Sequence, residues 1–126
     1  MDALTLLDHA EAAGLRIIRE GDLLHITGPT EAADIVRQIS ERKPAILSSW
    51  WTWQASRLLR QIKDADTRQT LAGTFDETAA HREYEQNQDR QTAEAIAFGA
   101  LVAECVWRQL PIAVTYSPHA KKEKTP

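Results

Sequence analysis

The run Gly14-Leu15-Arg16-Ile17-Ile18-Arg19-Glu20-Gly21-Asp22-Leu23-Leu24-His25-Ile26-Thr27-Gly28-Pro29 restricts the folds open to this chain more than any other stretch. Two β-prone runs flank Glu20-Gly21-Asp22, and Gly21 can take the positive φ that a tight reversal demands, so the segment predicts a β-hairpin. Side chains alternate across a strand. Leu15, Ile17, Leu24 and Ile26 therefore share one purely aliphatic face. Arg16, Ile18, Leu23, His25 and Thr27 share the other. A lone two-stranded sheet is at best marginal in water. The aliphatic face must be covered by a helix, which leaves the mixed face and the two strand edges available.

Everything else reads as helix. Asp2 caps a first helix to about Ala13, with Leu4, Leu6, Leu7, Ala10 and Ala13 near i, i+3, i+4 spacing and Gly14 as its terminator. After Gly28-Pro29, Thr30 is the expected cap of a second helix, Glu31 to about Glu41, with Ile35, Val36 and Ile39 as its core stripe. Pro44 suits the start of a third helix that takes in Trp50, Trp51 and Trp53 and continues to Lys63. Asp64-Ala65-Asp66-Thr67 either starts a short helix or lies within the longer one, and Gly73 is expected to end it. Thr74-Phe75-Asp76-Glu77 has the T-x-x-E form of a capping box and predicts a further helix. Glu85 to Asp89 reads as a turn, and Asp89 caps a last helix from Arg90 to about Gln109. That helix is apolar on most sides from Ala95 to Val106, so it is expected to be buried in the fold or at a dimer interface. The fold class is α+β: an αββαα module over 1–63, a helical extension over 64–110 and an extended tail over 111–126.

Charge and cysteine content narrow the function classes. The formal net charge of −3 supplies no global basic field for nucleic acid or an anionic membrane. Its distribution is uneven. Lys43 to Lys63 holds four basic residues and no acid, whereas 64–94 holds 3 Arg against 8 Asp/Glu. Cys105 is the single cysteine, which excludes an intramolecular disulfide and a cysteine-built zinc site and fits a reducing cytoplasm. The start, Met1-Asp2-Ala3, lacks the basic region of a signal peptide. The longest apolar stretch is shorter than the roughly 18–20 residues of a membrane span. A cytoplasmic protein without membrane contact is expected.

Residues Ala3 to about Trp51 resemble the N-terminal docking domain of tubulysin-type hybrid synthetases. The resemblance is carried by Leu6-Leu7, Gly14-Leu15-x-Ile17, Gly21-Asp22-x-Leu24-x-Ile26, Gly28-Pro29 and Arg42-Lys43-Pro44-Ala45-Ile46-Leu47, with Ala45 where the family usually has an acid. It implies an αββαα fold, dimerisation, and capture of a short linear segment of a partner chain by the exposed hairpin. Similar modules occur in proteins of bacterial plasmids and phages. A second segment, Phe75 to about Phe98, is similar to a helical segment at the ends of mobile-element replication and primase proteins, with Gln86-Asn87-Gln88 in place of the usual Asp-Gly-Gly. Neither resemblance includes a catalytic motif.

Two surfaces compete for a role. Arg16, Ile18, Leu23 and His25, on the hairpin's mixed face, are the candidate partner-binding residues, and Arg19 is a further cation for an acidic peptide. Trp50 and Trp53 line up with Arg57 and Arg60 on the third helix, while Trp51 aligns with the core residues Leu47, Leu58 and Ile62. Exposed tryptophan beside arginine stacks bases and holds phosphates, so these four residues define the alternative, a nucleic-acid-binding accessory protein. Packing of the same tryptophans into the fold is the competing structural reading. A third alternative, a phage-encoded inhibitor of a host defence complex, would use the acidic 64–94 segment as a nucleic-acid mimic. His81 with Glu77 and Glu85 shares a helix face but lacks a second His or Cys, so a solvated ion-pair face is expected rather than a metal site. Cys105 lacks the cationic surroundings of a reactive thiol. No P-loop, G-x-G-x-x-G, G-x-S-x-G or H-E-x-x-H is present. The expectation is a non-catalytic, homodimeric docking or adaptor protein of a bacterial mobile element, without cofactor, that binds another protein.

Overall fold

The computed structural model describes residues 1–113, and the tail expected from 111 onward lies beyond Ala113 outside the described residues. Their order is α1 (Ala3–Ala12), β1 (Arg16–Glu20), β2 (Leu23–Thr27), a 3-10 turn (Thr30–Ala32), α2 (Ala33–Glu41), α3 (Lys43–Leu59), α4 (Ala65–Tyr84) and α5 (Arg90–Trp107). This is the α+β arrangement read from the sequence, one hairpin followed by helices. The chain divides into two compact units, one of Met1–Ser49 and one beginning at Trp50, so the division falls inside α3. The boundary expected from the sequence lies at 63/64.

In the first unit, the Asp2 carboxylate accepts from the Thr5 amide at 2.8 Å and caps α1, which holds its carboxyl below the ordinary aspartate range. α1 ends in a Schellman motif. The Leu15 amide bonds to the Ala10 carbonyl and the Gly14 amide to the Glu11 carbonyl, with Gly14 at φ +92°. That motif turns the chain directly into β1, and α1 packs on both β1 and α2. Leu6, Leu7, Ala10, Leu15, Ile17, Ala32, Ile39 and Ile46 are buried. β1 and β2 pair antiparallel with Ile17 opposite Ile26 and Ile18 opposite His25. Of the two turn residues only Gly21 has positive φ (+62°), the pattern of a type II′ reversal. Beyond β2, a Cβ on Gly28 would come within 2.8 Å of the Leu15 side chain, so the strand end closes tightly on the start of β1. Thr30 does not cap a helix as expected. The chain enters α2 through a 3-10 turn preceded by Pro29, with no side-chain cap.

In the second unit, the later part of α3 joins α4 and α5. α4 and α5 form an antiparallel helical hairpin about the turn at 85–89, with Asn87 at φ +53°. Ala55, Leu58 and Ile62 meet Leu71, Phe75 and Ala79 of α4 and Ala97, Phe98, Leu101 and Cys105 of α5 in one core cluster. Asp64 and Asp89 cap α4 and α5, each accepting from the amide and hydroxyl of a threonine three residues on, which lowers both carboxyls.

Two helices differ from expectation in their bounds. α3 ends at Leu59 rather than Lys63. α4 runs unbroken through Gly73, and Thr74 caps nothing: its hydroxyl donates to the Thr70 carbonyl at 3.1 Å inside the helix. Leu71, Phe75 and Ala79 recur every fourth residue, and burying that stripe outweighs the ~1 kcal/mol that a mid-helix glycine costs. Of the two expectations for α5, enclosure within this chain holds for one side only. Ala93, Glu94, Ala97, Phe98, Leu101 and Cys105 are buried, but Val106 is 65% and Trp107 82% exposed. α5 ends in a second Schellman motif, Leu110 amide to Cys105 carbonyl and Gln109 amide to Val106 carbonyl, with Gln109 rather than glycine at φ +59°. The motif returns Leu110 and Ile112 to the core cluster, and the Gln61 side chain holds Ala113 through both backbone groups at 2.7 and 2.8 Å.

Candidate functional site: the outer face of the hairpin

The strand register fixes which side chains share a face. Ile18 stands opposite His25, Arg16 opposite Thr27 and Glu20 opposite Leu23, so these six form the outer face. Leu23 is 57% exposed, Arg16 and His25 are exposed, and Ile18 is half-buried. The His25 Nε2 lies 3.8 Å from a Glu20 carboxylate oxygen, diagonally across the strands. Thus the four residues expected to meet a partner do lie together on one side of the sheet. Leu15 and Ile17, on the inner face, are each 6% exposed. The surface combines an exposed leucine and a partly exposed isoleucine with a cation and an imidazole.

Arg19 does not belong to this surface. It stands opposite Leu24 on the inner side, its side chain 14% exposed. Its Nε donates to the Gly21 carbonyl at 2.7 Å and a terminal nitrogen to the Leu47 carbonyl at 3.3 Å. It holds the turn and the start of α3 together, so it is a structural cation rather than a partner-facing one.

On the tryptophan helix the burial favours the packing reading over the nucleic-acid one. Trp50 is 5% and Trp53 3% exposed, with ring centroids 5.4 Å apart. Neither indole presents a face on which a base could stack. Arg57 lies 4.7 Å over the Trp53 ring as a cation–π partner, and Arg60 is exposed with Nε directed at the Ser56 carbonyl. Trp51, expected in the core, is instead half-buried at its edge, 5.6 Å from Phe98. Helical spacing alone assigns α3 one core face, whereas Trp50 and Trp53 are buried on one side and Ala55 and Leu58 on another, roughly 140° around the helix.

A buried carboxylate escaped the sequence reading altogether. Glu94 is 3% exposed; one of its oxygens accepts from the Thr52 hydroxyl at 3.3 Å and from Arg90 Nε at 3.1 Å. Arg90 also reaches Glu83 at 3.3 Å, so the network ties α3, α5 and α4 together at one end of the core. Attraction between these groups holds the Arg90 guanidinium more firmly protonated than usual, the Glu94 bond being the main cause. The available signal was an acid in register with Ala93 and Ala97, four residues after an arginine. Cys105 is fully buried, which raises its thiol pKa and keeps it from forming a thiolate. Among the described residues no three His, Cys, Asp or Glu side chains converge on a point, and no helix is long and apolar enough to cross a membrane. Comparison with protein-family models, curated proteins and solved structures returns no match for this chain.

Proposed function

We propose that this chain is a non-catalytic docking or adaptor protein that holds a short segment of a partner protein against its hairpin, by strand addition at an edge or by contact with the outer face. The observation that carries the reading is the 57% exposed Leu23 beside Ile18, Arg16 and His25, on a sheet whose opposite face buries Leu15 and Ile17. The resemblance to synthetase docking domains supports the same mode of binding and adds a homodimeric state and a bacterial mobile-element setting. The single buried cysteine agrees with a cytoplasmic location. The nucleic-acid alternative loses its aromatic component with Trp50 and Trp53 inside.

The test is capture from a host-cell lysate by the immobilised full chain and by its Ile18→Asp/Leu23→Asp variant. The parent is expected to retain proteins that the variant loses, with the two unfolding at similar denaturant concentrations. Recovery of the same proteins by both would overturn the assignment to the hairpin.

A further inference from the structure

The uncovered side of α5 contains no charge. Ile96, Gly99, Ala100, Ala103, Val106 and Trp107 follow one another along it, half-buried at Ile96 and exposed at the other five. On α4, by contrast, Asp76, Glu77 and His81 occupy exposed positions. An 18-residue helix with a polar N-cap and an uncharged outer side is unusual on a surface, because isolated apolar residues are common there but continuous apolar stripes are not.

We infer that this side of α5 is a dimer interface, on which a second copy of the chain packs its own α5 antiparallel about a two-fold axis. The inference rests on the homodimeric state proposed above and locates it outside the hairpin. The order of residue sizes makes the stripe self-complementary. A two-fold point midway between Leu101 and Val102 sets Trp107 of one copy against Ile96 of the other. The same point sets Ala100 against Ala103. Bulk lies toward both ends and small side chains at the centre, which lets the helices approach near the short end of the 8–10 Å range. Such an arrangement is isologous and closes after two copies. A parallel pair would instead put Trp107 against Trp107 and leave the Ile96 end thinly packed.

Area favours the same occupant. Trp107 and Val106 of both copies remove on the order of 500 Å² from water. The Ile96 to Ala103 stretch brings the total near the ~1,000 Å² that a specific interface requires. Glu104 and Arg108 flank the stripe as a pair with each other at 3.0 Å, so the border is electrically neutral and repels no second copy.

Sedimentation velocity of the full chain across a range of concentrations, with Trp107→Asp alongside, tests this. The parent is expected to be a dimer, and Trp107→Asp to raise the dissociation constant about 30-fold or more, with an unchanged helical signal. A monomeric parent at all concentrations overturns both the homodimer and this interface. A parent dimer that Trp107→Asp leaves intact keeps the homodimer and overturns the α5 interface. Orientation is read by oxidising Ala100→Cys and Ala103→Cys variants, mixed and separately. Cross-linking mainly in the mixture supports the antiparallel pair, and cross-linking of each variant with itself contradicts it.

Discussion

The hairpin leaves Arg16, Leu23 and His25 of one face to solvent, whereas the third helix encloses two of its three tryptophans. On the hairpin, the residues assigned outward by alternation are outward. On α3, Trp50 and Trp53, which helical spacing sets beside two arginines, are inside. A strand has two faces, and once one is aliphatic the other is determined. A helix has a whole circumference, and a helix packed along two sides leaves only a strip to solvent. Face assignment is therefore secure for a strand with one clear partner side, and insecure for a helix rich in aromatics on more than one side.

The largest expected effect comes from setting the two faces of the hairpin against each other. Ile17→Asp places an unpaired carboxylate on the buried face and should destabilise the protein by about 3–5 kcal/mol in urea unfolding. Leu23→Asp, on the exposed face, should remain within about 0.5 kcal/mol of the parent. Equal losses would mean that the outer face is packed. In the second unit, Glu94→Ala strips the buried partner from Thr52 and Arg90 and should lower the denaturant midpoint by the equivalent of about 1–3 kcal/mol. Glu94→Gln, which keeps an acceptor for both, should cost less. No difference between the two variants would remove the network as a source of stability.

Much of the fold was legible for reasons these residues make clear. Asp2 and Asp89 are legible as caps because a short acceptor before an apolar run has few other uses, and Gly14 as a terminator because it accepts positive φ. Thr74 was misread because the T-x-x-E spacing is local, whereas the Leu71, Phe75 and Ala79 stripe that keeps α4 continuous gains its value from packing on α3 and α5. Arg19 and Glu94 were illegible in their roles. A charged side chain looks like surface until its partners, the Leu47 carbonyl and the Thr52 hydroxyl, are brought to it by the fold.

Smaller effects sharpen the account of helix ends. Gln109 adopts the backbone conformation that Gly14 supplies in the matching motif of α1. Gln109→Gly should therefore stabilise by up to ~1 kcal/mol in thermal or urea unfolding. Loss of stability would show that the Gln109 side chain makes a compensating contact. The three capping aspartates set the smallest effect. Their carboxyls are lowered in the folded protein by bonds from Thr5, Thr67 and Thr92, so this stability is fully present above the ordinary aspartate value near 4. It is lost as pH falls through the lowered folded values. Replacing Asp2, Asp64 and Asp89 together by asparagine keeps the caps without the titration and should flatten the acid limb of stability against pH. An unchanged limb would place the acid sensitivity elsewhere.

The contrast between the two surfaces is tested most directly by tryptophan emission. In a Trp51→Phe/Trp107→Phe chain only Trp50 and Trp53 report. The account predicts blue-shifted emission that acrylamide quenches weakly and that single-stranded DNA at low salt leaves unchanged. Red-shifted emission, quenched readily by acrylamide and altered by the oligonucleotide, would contradict it and return the binding role to the tryptophan helix.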